Sequence, residues 1–169
     1  MTFPNKLPIY VVCLIILLLI GCSQANFIVN KFEKIEIEDE YKGLNFSLNQ
    51  SDFEEEQYIL FLIFKSKAEV DRGFISINDK LQRLNSVETT LFDSNNNVMN
   101  EDNLGKYDGV SLKKIVIVLS NEQYELTCEL NVEVDSTGPG DVFKGNISIT
   151  DKQTNKIQKL PIFGEPGRS

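Results

Sequence analysis

Cysteine and acidic side chains are the residues of this sequence with the clearest potential for chemistry. The chain contains three cysteines and 25 aspartates and glutamates, but no histidine and no tryptophan. Because histidine is the commonest general base and metal ligand, its absence disfavours a hydrolase. Cys128 therefore has no histidine to form its thiolate, and it falls on the apolar face of an alternating segment. We expect Cys128 to be a buried core residue.

The run Asp93–Asn97 is similar to the opening of a calcium-binding loop, in which oxygen ligands stand at alternate positions. Val98 stands where such a loop needs glycine, and Leu104 stands where it needs a bidentate glutamate. We therefore expect a solvated turn here. A weaker ion site that combines the aspartate of this run with Glu101 and Asp102 stays an alternative.

Two other acidic groups could contact a partner or a substrate. Glu54–Glu56 could form a recognition patch for a basic partner, although acidic residues also suit the first turn of a helix, which is the interpretation we favour. Glu125, Glu129 and Glu133 fall on the polar face of one predicted strand, where paired carboxylates could act as acid and base. Strand residues that face water are commonly charged, so the sequence predicts no catalytic residue, no metal site and no cofactor.

The amino-terminal segment predicts export from the cytoplasm. An uncharged apolar stretch of 12 residues runs from Ile9 to Ile20, and Lys6 is the only charged residue before Cys22. A membrane-spanning helix needs roughly 20 apolar residues, so this stretch is too short to span a bilayer comfortably. A basic residue before such a stretch and small residues after it are typical of a signal peptide.

The residues Leu19–Cys22 resemble the lipobox of bacterial lipoproteins, in which a small residue precedes the lipid-bearing cysteine. The resemblance implies that the Cys22 thiol takes a diacylglycerol and that a signal peptidase cuts between Gly21 and Cys22. Two or three acyl chains anchor a protein durably, whereas one does not. The resemblance also implies attachment to the cell membrane or outer membrane, with the domain in the periplasm or at the cell surface. An ordinary secreted protein and an uncleaved anchor are the alternatives.

The charge and length of the chain limit its partners and its organisation. The sequence has 17 lysines and arginines against 25 acidic residues, a net charge of −8. An acidic surface repels phosphates, so we expect no nucleic-acid partner and no polybasic contact with anionic lipid. Removal of residues 1–21 as a signal peptide leaves 148 residues, a suitable size for one domain. We predict a lipidated tether over 22–30 and one β domain over 31–169.

Most of the predicted domain has the periodicity of strands. Tyr124–Asp135 alternates strictly between apolar and polar residues, and Tyr58–Phe64 and Ile115–Leu119 are apolar throughout. Ser51–Gln57 has the form of a capping box and predicts one helical turn, while Asn78–Leu84 fits either a short helix or a strand. Roughly seven to nine strands with short turns favour an antiparallel β-sandwich, immunoglobulin-like in the broad sense. A small closed barrel is the alternative.

Export, a lipid tether and the lack of a catalytic pattern favour a membrane-anchored envelope lipoprotein whose β domain binds another protein. A periplasmic immunity protein that neutralises a toxin is one concrete version. The second hypothesis is a binding module for a small molecule, sugar or ion in a surface or uptake system. Sugar sites usually use aromatic platforms, however, and the chain has no tryptophan and five tyrosines. An enzyme would need an active site of carboxylates, lysine, tyrosine or serine alone.

Overall fold

Strands make up most of the structure. The computed structural model of the chain describes residues 27–33, 43–66, 68–99, 112–134 and 141–166. The strands within these ranges are β1 (Val29–Asn30), β2 (Phe32–Glu33), β3 (Gly43–Ser47), β4 (Gln57–Tyr58), β5 (Leu60–Phe64), β6 (Val70–Ile77), β7 (Lys80–Asp93), β8 (Val98–Met99), β9 (Leu112–Ser120), β10 (Tyr124–Val134), β11 (Asp141–Asp151) and β12 (Lys156–Pro166). A four-residue helix, α1 (Ser51–Glu54), lies between β3 and β4. The predicted all-β class is confirmed.

Eight antiparallel strands close into a ring. Neighbouring strands pair in the order β6-β5-β3-β12-β11-β10-β9-β7, and a pairing between β7 and β6 completes the circle. The short strands β1 and β8 pair with β6 and β7 beside this ring. The antiparallel arrangement is therefore confirmed, but the predicted immunoglobulin-like sandwich is replaced by a closed barrel, the alternative that the sequence left open.

The long strand β7 explains why the sheet closes. Its first half, Lys80–Asn85, pairs with β6, and its second half, from Asn85 to Asp93, pairs with β9. On the other side of the ring, β12 pairs with β3 through Phe163 and Ser47. Because antiparallel sheets twist and coil, a strand shared between two neighbours in this way brings the ends of the sheet together.

Asn78 and Asp79 form the two-residue turn between β6 and β7. Both residues have positive φ, 51° and 59°, which is the pattern of a type I′ hairpin turn. The twist of this turn matches the twist of the strands that it joins. The segment Asn78–Leu84, for which the sequence fits helix or strand, is therefore this turn and the start of β7.

Apolar side chains fill the barrel. The predicted alternation of β10 is confirmed, because five of its residues face inward and are at most 7% exposed: Tyr124, Leu126, Cys128, Leu130 and Val132. Other strands add side chains that are fully buried, among them Phe46, Leu60, Leu62, Ile75, Leu84, Ile117 and Leu119. The interior of an eight-stranded barrel is about wide enough for such side chains. Each one contributes roughly 1.5–3 kcal/mol on burial, so this core is the main source of stability.

The segment before β2 packs against the barrel. Phe27 is 8% exposed, and its ring centre lies 5.9 Å from that of Tyr124. The Ile28 N–H donates to the side-chain oxygen of Asn78 at 2.9 Å, and the Asn78 N–H donates to the Ile28 carbonyl at 2.8 Å. β1 then pairs with the end of β6. Residues 27–30, which the sequence assigns to the tether, thus lie against the domain.

An ion pair joins this amino-terminal segment to α1. Lys31 donates to Asp52 at 2.7 Å, and the Asp52 side chain is 4% exposed. Ser51 donates to the side-chain oxygen of Asn49, and the cap residue Gln50 makes no side-chain cap, so the predicted helical turn is present without the predicted capping box. Across the described ranges, no helix combines the length and apolar character needed to cross a bilayer.

Candidate functional site

The predicted lipid site falls outside the part of the chain that the structure describes. Gly21 and Cys22 precede residue 27, so lipid attachment and cleavage stay predictions from the sequence. The other candidate groups lie in described ranges, except for Glu101 and Asp102 of the alternative ion site.

Cys128 lies on the inner face of β10 and is completely buried. Burial, with a smaller contribution from Glu129, raises the pKa of its thiol well above the ordinary range. The thiolate is the nucleophilic form of cysteine, so this environment suppresses reaction at the sulfur. The prediction that Cys128 is a core residue is confirmed.

We expect the Cys128 thiol to resist alkylation in the folded protein. A chain that begins at Ser23 retains Cys128 as its only cysteine. At about pH 9, where an ordinary thiol is largely ionised, iodoacetamide should label this chain only after denaturant is added. Intact mass measures the labelled fraction. Rapid labelling without denaturant would show that the barrel opens or that the thiol is accessible.

Asp93 caps its own loop. Its Oδ1 accepts the N–H groups of Asn95 and Asn97, both at 2.8 Å, and its Oδ2 accepts the Asn97 side-chain amide at 3.1 Å. These hydrogen bonds lower the pKa of the carboxyl group, and the bond from the Asn97 side chain has the largest effect. The predicted polar turn is confirmed. Glu101 and Asp102 lie outside the described residues, and no group of three or more cysteines and carboxylates within the described ranges could hold a metal ion.

The glutamates of β10 form a row on the outer surface of the barrel. Glu129 pairs with Lys114 of β9 at 3.1 Å, and Glu133 pairs with Lys144 of β11 at 2.7 Å. Glu125 is exposed as well. Each of the two pairs joins β10 to a neighbouring strand, as expected for charged residues that face water. The exposed run at residues 54–56 lies apart in sequence, at the end of α1 and in the turn after it.

An open groove of about 410 Å³ lies in the barrel wall where β6 and β7 diverge. The two strands pair as far as Arg72 and Asn85, after which β7 continues along β9. Between Ser86 and Glu88 the register shifts by one residue, and this bulge leaves the Val87 side chain 66% exposed. We call this feature the wall groove, and its lining residues are Lys65, Glu69–Asp71 and Ser86–Thr89.

Within the described ranges, one edge of β7 is left unpaired at the wall groove. On the side of β7 away from β9, Lys80–Asn85 pairs with β6 and Leu91–Phe92 pairs with β8. No strand in the described ranges pairs with the intervening residues on that side. One hydrogen bond crosses the groove, from the Val70 N–H to the Thr89 hydroxyl at 3.1 Å. Backbone groups on such an edge can hydrogen-bond an added strand.

The charge of the wall groove is negative. Glu69, Asp71 and Glu88 contribute three carboxylates, against the single ammonium group of Lys65. The Lys65 Nζ lies 3.2 Å from the Glu69 Oε1, so the positive charge of Lys65 is paired with this carboxylate. Glu88 accepts a hydrogen bond from the Thr90 hydroxyl at 2.8 Å, and its side chain is exposed. The groove therefore presents acidic side chains around one exposed apolar residue.

Sequence reasoning missed the wall groove, although one signal of it is present. Leu84 and Leu91 are both buried in the core, yet they are seven positions apart. A regular strand places residues an odd number apart on opposite faces, so a bulge must lie between them. The pattern could have located the bulge near Val87. It could not have shown that β6 leaves β7 at the same point.

The fold and the groove together define an antiparallel β-barrel with an acidic opening in its wall. No family model, curated protein or solved structure matches the chain. The function is therefore argued from the residues and geometry of this chain.

Proposed function

We propose that the chain is a membrane-anchored envelope lipoprotein whose β-barrel domain binds another protein and catalyses no reaction. The lipobox-like residues Leu19–Cys22 support the anchor. The open edge of β7 in the wall groove is the observation that carries the binding function. The buried, protonated thiol of Cys128 and the exposed, lysine-paired glutamates of β10 offer no activated nucleophile, which favours binding over catalysis.

The wall groove suits an extended segment of a partner protein. A strand that adds to an open sheet edge gains main-chain hydrogen bonds, and its side chains supply the specificity. The exposed Val87 would contact an apolar side chain of that segment. Glu69, Asp71 and Glu88 would favour lysine or arginine on either side of it. The expected partner is therefore a basic protein with an accessible extended segment, and a basic toxin would make this chain an immunity protein.

The groove fits the alternative ligands less well. A sugar site needs an aromatic surface on which the ring can stack, and the lining residues that the structure describes include no aromatic side chain. A buried small-molecule site needs an apolar cavity that encloses the ligand, whereas this groove is open and mostly polar. Both features favour a protein partner over a sugar or an apolar small molecule.

A photo-crosslinking amino acid at Val87 is expected to capture one discrete partner in cells that make the full chain. Val87 is 66% exposed in the groove, and the matched control position is Ile157, which is 62% exposed on β12, across the barrel. The Ile157 variant should give no protein adduct of the same size. Equal protein adducts at both positions would contradict binding in the groove.

Charge reversal in the groove separates specific binding from accidental capture. Glu88→Lys should lower the yield of the Val87 adduct about tenfold at low salt, with a smaller effect at high salt. Glu125→Lys makes the same change of net charge on the exposed face of β10 and should leave the yield unchanged. Identical yields in the two charge variants would show that the acidic groove does not select the partner.

A further inference from the structure

Three hairpin turns gather at one end of the barrel. They join β6 to β7, β9 to β10 and β11 to β12. The Asn121 side-chain amide donates to the Arg83 carbonyl at 3.2 Å, and the Lys152 N–H donates to the Gln123 carbonyl at 2.8 Å. Phe27 packs against the ring of Tyr124, which follows the second turn. The chain thus enters the domain at this end, which we call the N-terminal end of the barrel.

The distance from the predicted lipid to this end is short. Cys22 precedes the buried Phe27 by five residues. An extended chain spans at most about 3.5 Å per residue, so the Cα atoms of Cys22 and Phe27 can be no more than about 17 Å apart. β10 has 11 residues. At a rise of about 3.3 Å per residue and a tilt of about 40°, such a strand covers about 28 Å along the barrel axis. The opposite end is therefore beyond the reach of the lipid.

Exposed apolar side chains lie around the rim of the N-terminal end. Six large apolar residues are exposed within the described ranges, and three of them belong to this end: Ile28 at 60%, Leu81 at 50% and Ile157 at 62%. Ile28 hydrogen-bonds to the β6–β7 turn, Leu81 follows that turn, and Ile157 follows the β11–β12 turn. These three side chains give the rim apolar surface that a bilayer interface could bury.

The three hairpin turns at the N-terminal end carry as many lysines as carboxylates. The segments 78–81, 121–123 and 151–156 contain three lysines and three carboxylates. The chain as a whole carries a net charge of −8, and the wall groove has three carboxylates and one lysine. The β3–β5 connection leaves the barrel at the same end and adds the exposed carboxylates of Glu54–Glu56. A contact with a bilayer at this end would therefore depend on apolar side chains and not on charge.

We propose that the domain rests on the bilayer by its N-terminal end, with Ile28, Leu81 and Ile157 in contact with the lipid interface. The inference rests on the lipid anchor of the proposed function, and it adds a second contact and a fixed orientation. The short tether holds the end at the membrane, and apolar burial at the interface supplies the contact. The occupant of this surface is a phospholipid bilayer.

This orientation places the wall groove away from the membrane. Val70 lies in the groove and Ile77 lies next to the turn at the N-terminal end. They are seven positions apart on β6, which is about 23 Å along the strand and, at a tilt of about 40°, about 18 Å along the barrel axis. The open edge of β7 would therefore face the aqueous side, where an extended segment of a partner can reach it.

Tryptophan fluorescence tests the orientation, because the chain has no tryptophan of its own. Leu81→Trp and Val87→Trp place a single reporter at the N-terminal end or in the groove, both at exposed positions. Each full-length lipidated variant is reconstituted in phosphatidylcholine–phosphatidylglycerol vesicles that carry brominated acyl chains. We expect at least about threefold stronger quenching for Leu81→Trp, since interfacial residues lie within about 5–10 Å of the acyl boundary.

The same samples distinguish failure of the orientation from failure of the anchor. Intact mass first shows whether Cys22 carries acyl chains. A lipidated protein with equal, weak quenching in both variants overturns the orientation and leaves the anchor intact. A protein without acyl chains that stays in the aqueous phase overturns the anchor and the orientation together. Stronger quenching for Val87→Trp would show that the wall groove, and not the N-terminal end, faces the bilayer, which would overturn the orientation.

Discussion

The Cys22→Ser variant of the full chain is expected to move from the membrane fraction to the soluble fraction of a bacterial host. Each buried methylene of an acyl chain contributes about 0.8 kcal/mol to membrane binding, so loss of two or three chains removes nearly all of the attachment. The remaining contact of Ile28, Leu81 and Ile157 is too small to retain the domain alone. We expect the membrane-bound fraction to fall at least about tenfold, as measured by fractionation and intact mass.

The neighbouring serine provides the matched control for this experiment. Ser23→Ala removes a hydroxyl one residue later and should leave both the lipid mass and the membrane-bound fraction unchanged. A soluble wild-type protein whose mass matches an unmodified chain would contradict the lipoprotein proposal. It would indicate an ordinary secreted domain, and the partner of the wall groove would then be sought outside the membrane.

Strands whose two faces differ could be predicted from the sequence. Tyr124, Leu126 and Cys128 alternate with polar residues, and burial of one face follows directly from the two-residue period of a strand. The pairing of Phe46 with Gly164 could not be predicted in this way. More than a hundred residues separate the two positions, and the same inward faces would suit two packed sheets or one closed sheet. The choice between sandwich and barrel depends on such long-range pairs.

The candidate site was harder to predict than the fold class. The anchor at Cys22 follows from a local pattern, which is why the sequence alone could indicate it. The wall groove requires two coincident events, the bulge at Val87 and the divergence of β6 beyond Arg72. Only the first event leaves a trace in the spacing of apolar residues. The second depends on how β7 is shared between β6 and β9, which no short segment of sequence encodes.

Gly145→Ala is expected to destabilise the barrel by roughly 3 kcal/mol, because strands β10 and β11 approach too closely for a side chain. Gly145 pairs with Leu130 across the two strands. A Cβ atom at residue 145 would collide with the Glu129 carbonyl oxygen and would lie 2.8 Å from the carbonyl carbon. These are backbone atoms held by the ladder on both sides, so relief would require the strands to separate. We expect the melting temperature to fall by about 10 °C.

Gly43→Ala is the matched control, because the closest atoms to its added methyl group belong to a side chain, and its backbone contact, with the Leu62 carbonyl oxygen, is longer at 3.1 Å. The new Cβ would collide with the far edge of the Phe61 ring, which is only half-buried and can rotate away. We expect a loss of no more than about 1 kcal/mol there. Chemical denaturation of both variants measures the difference in unfolding free energy. Equal losses would show that close approach of the β10 and β11 backbones is not what requires glycine at position 145, and that both glycines serve strand geometry in the same way.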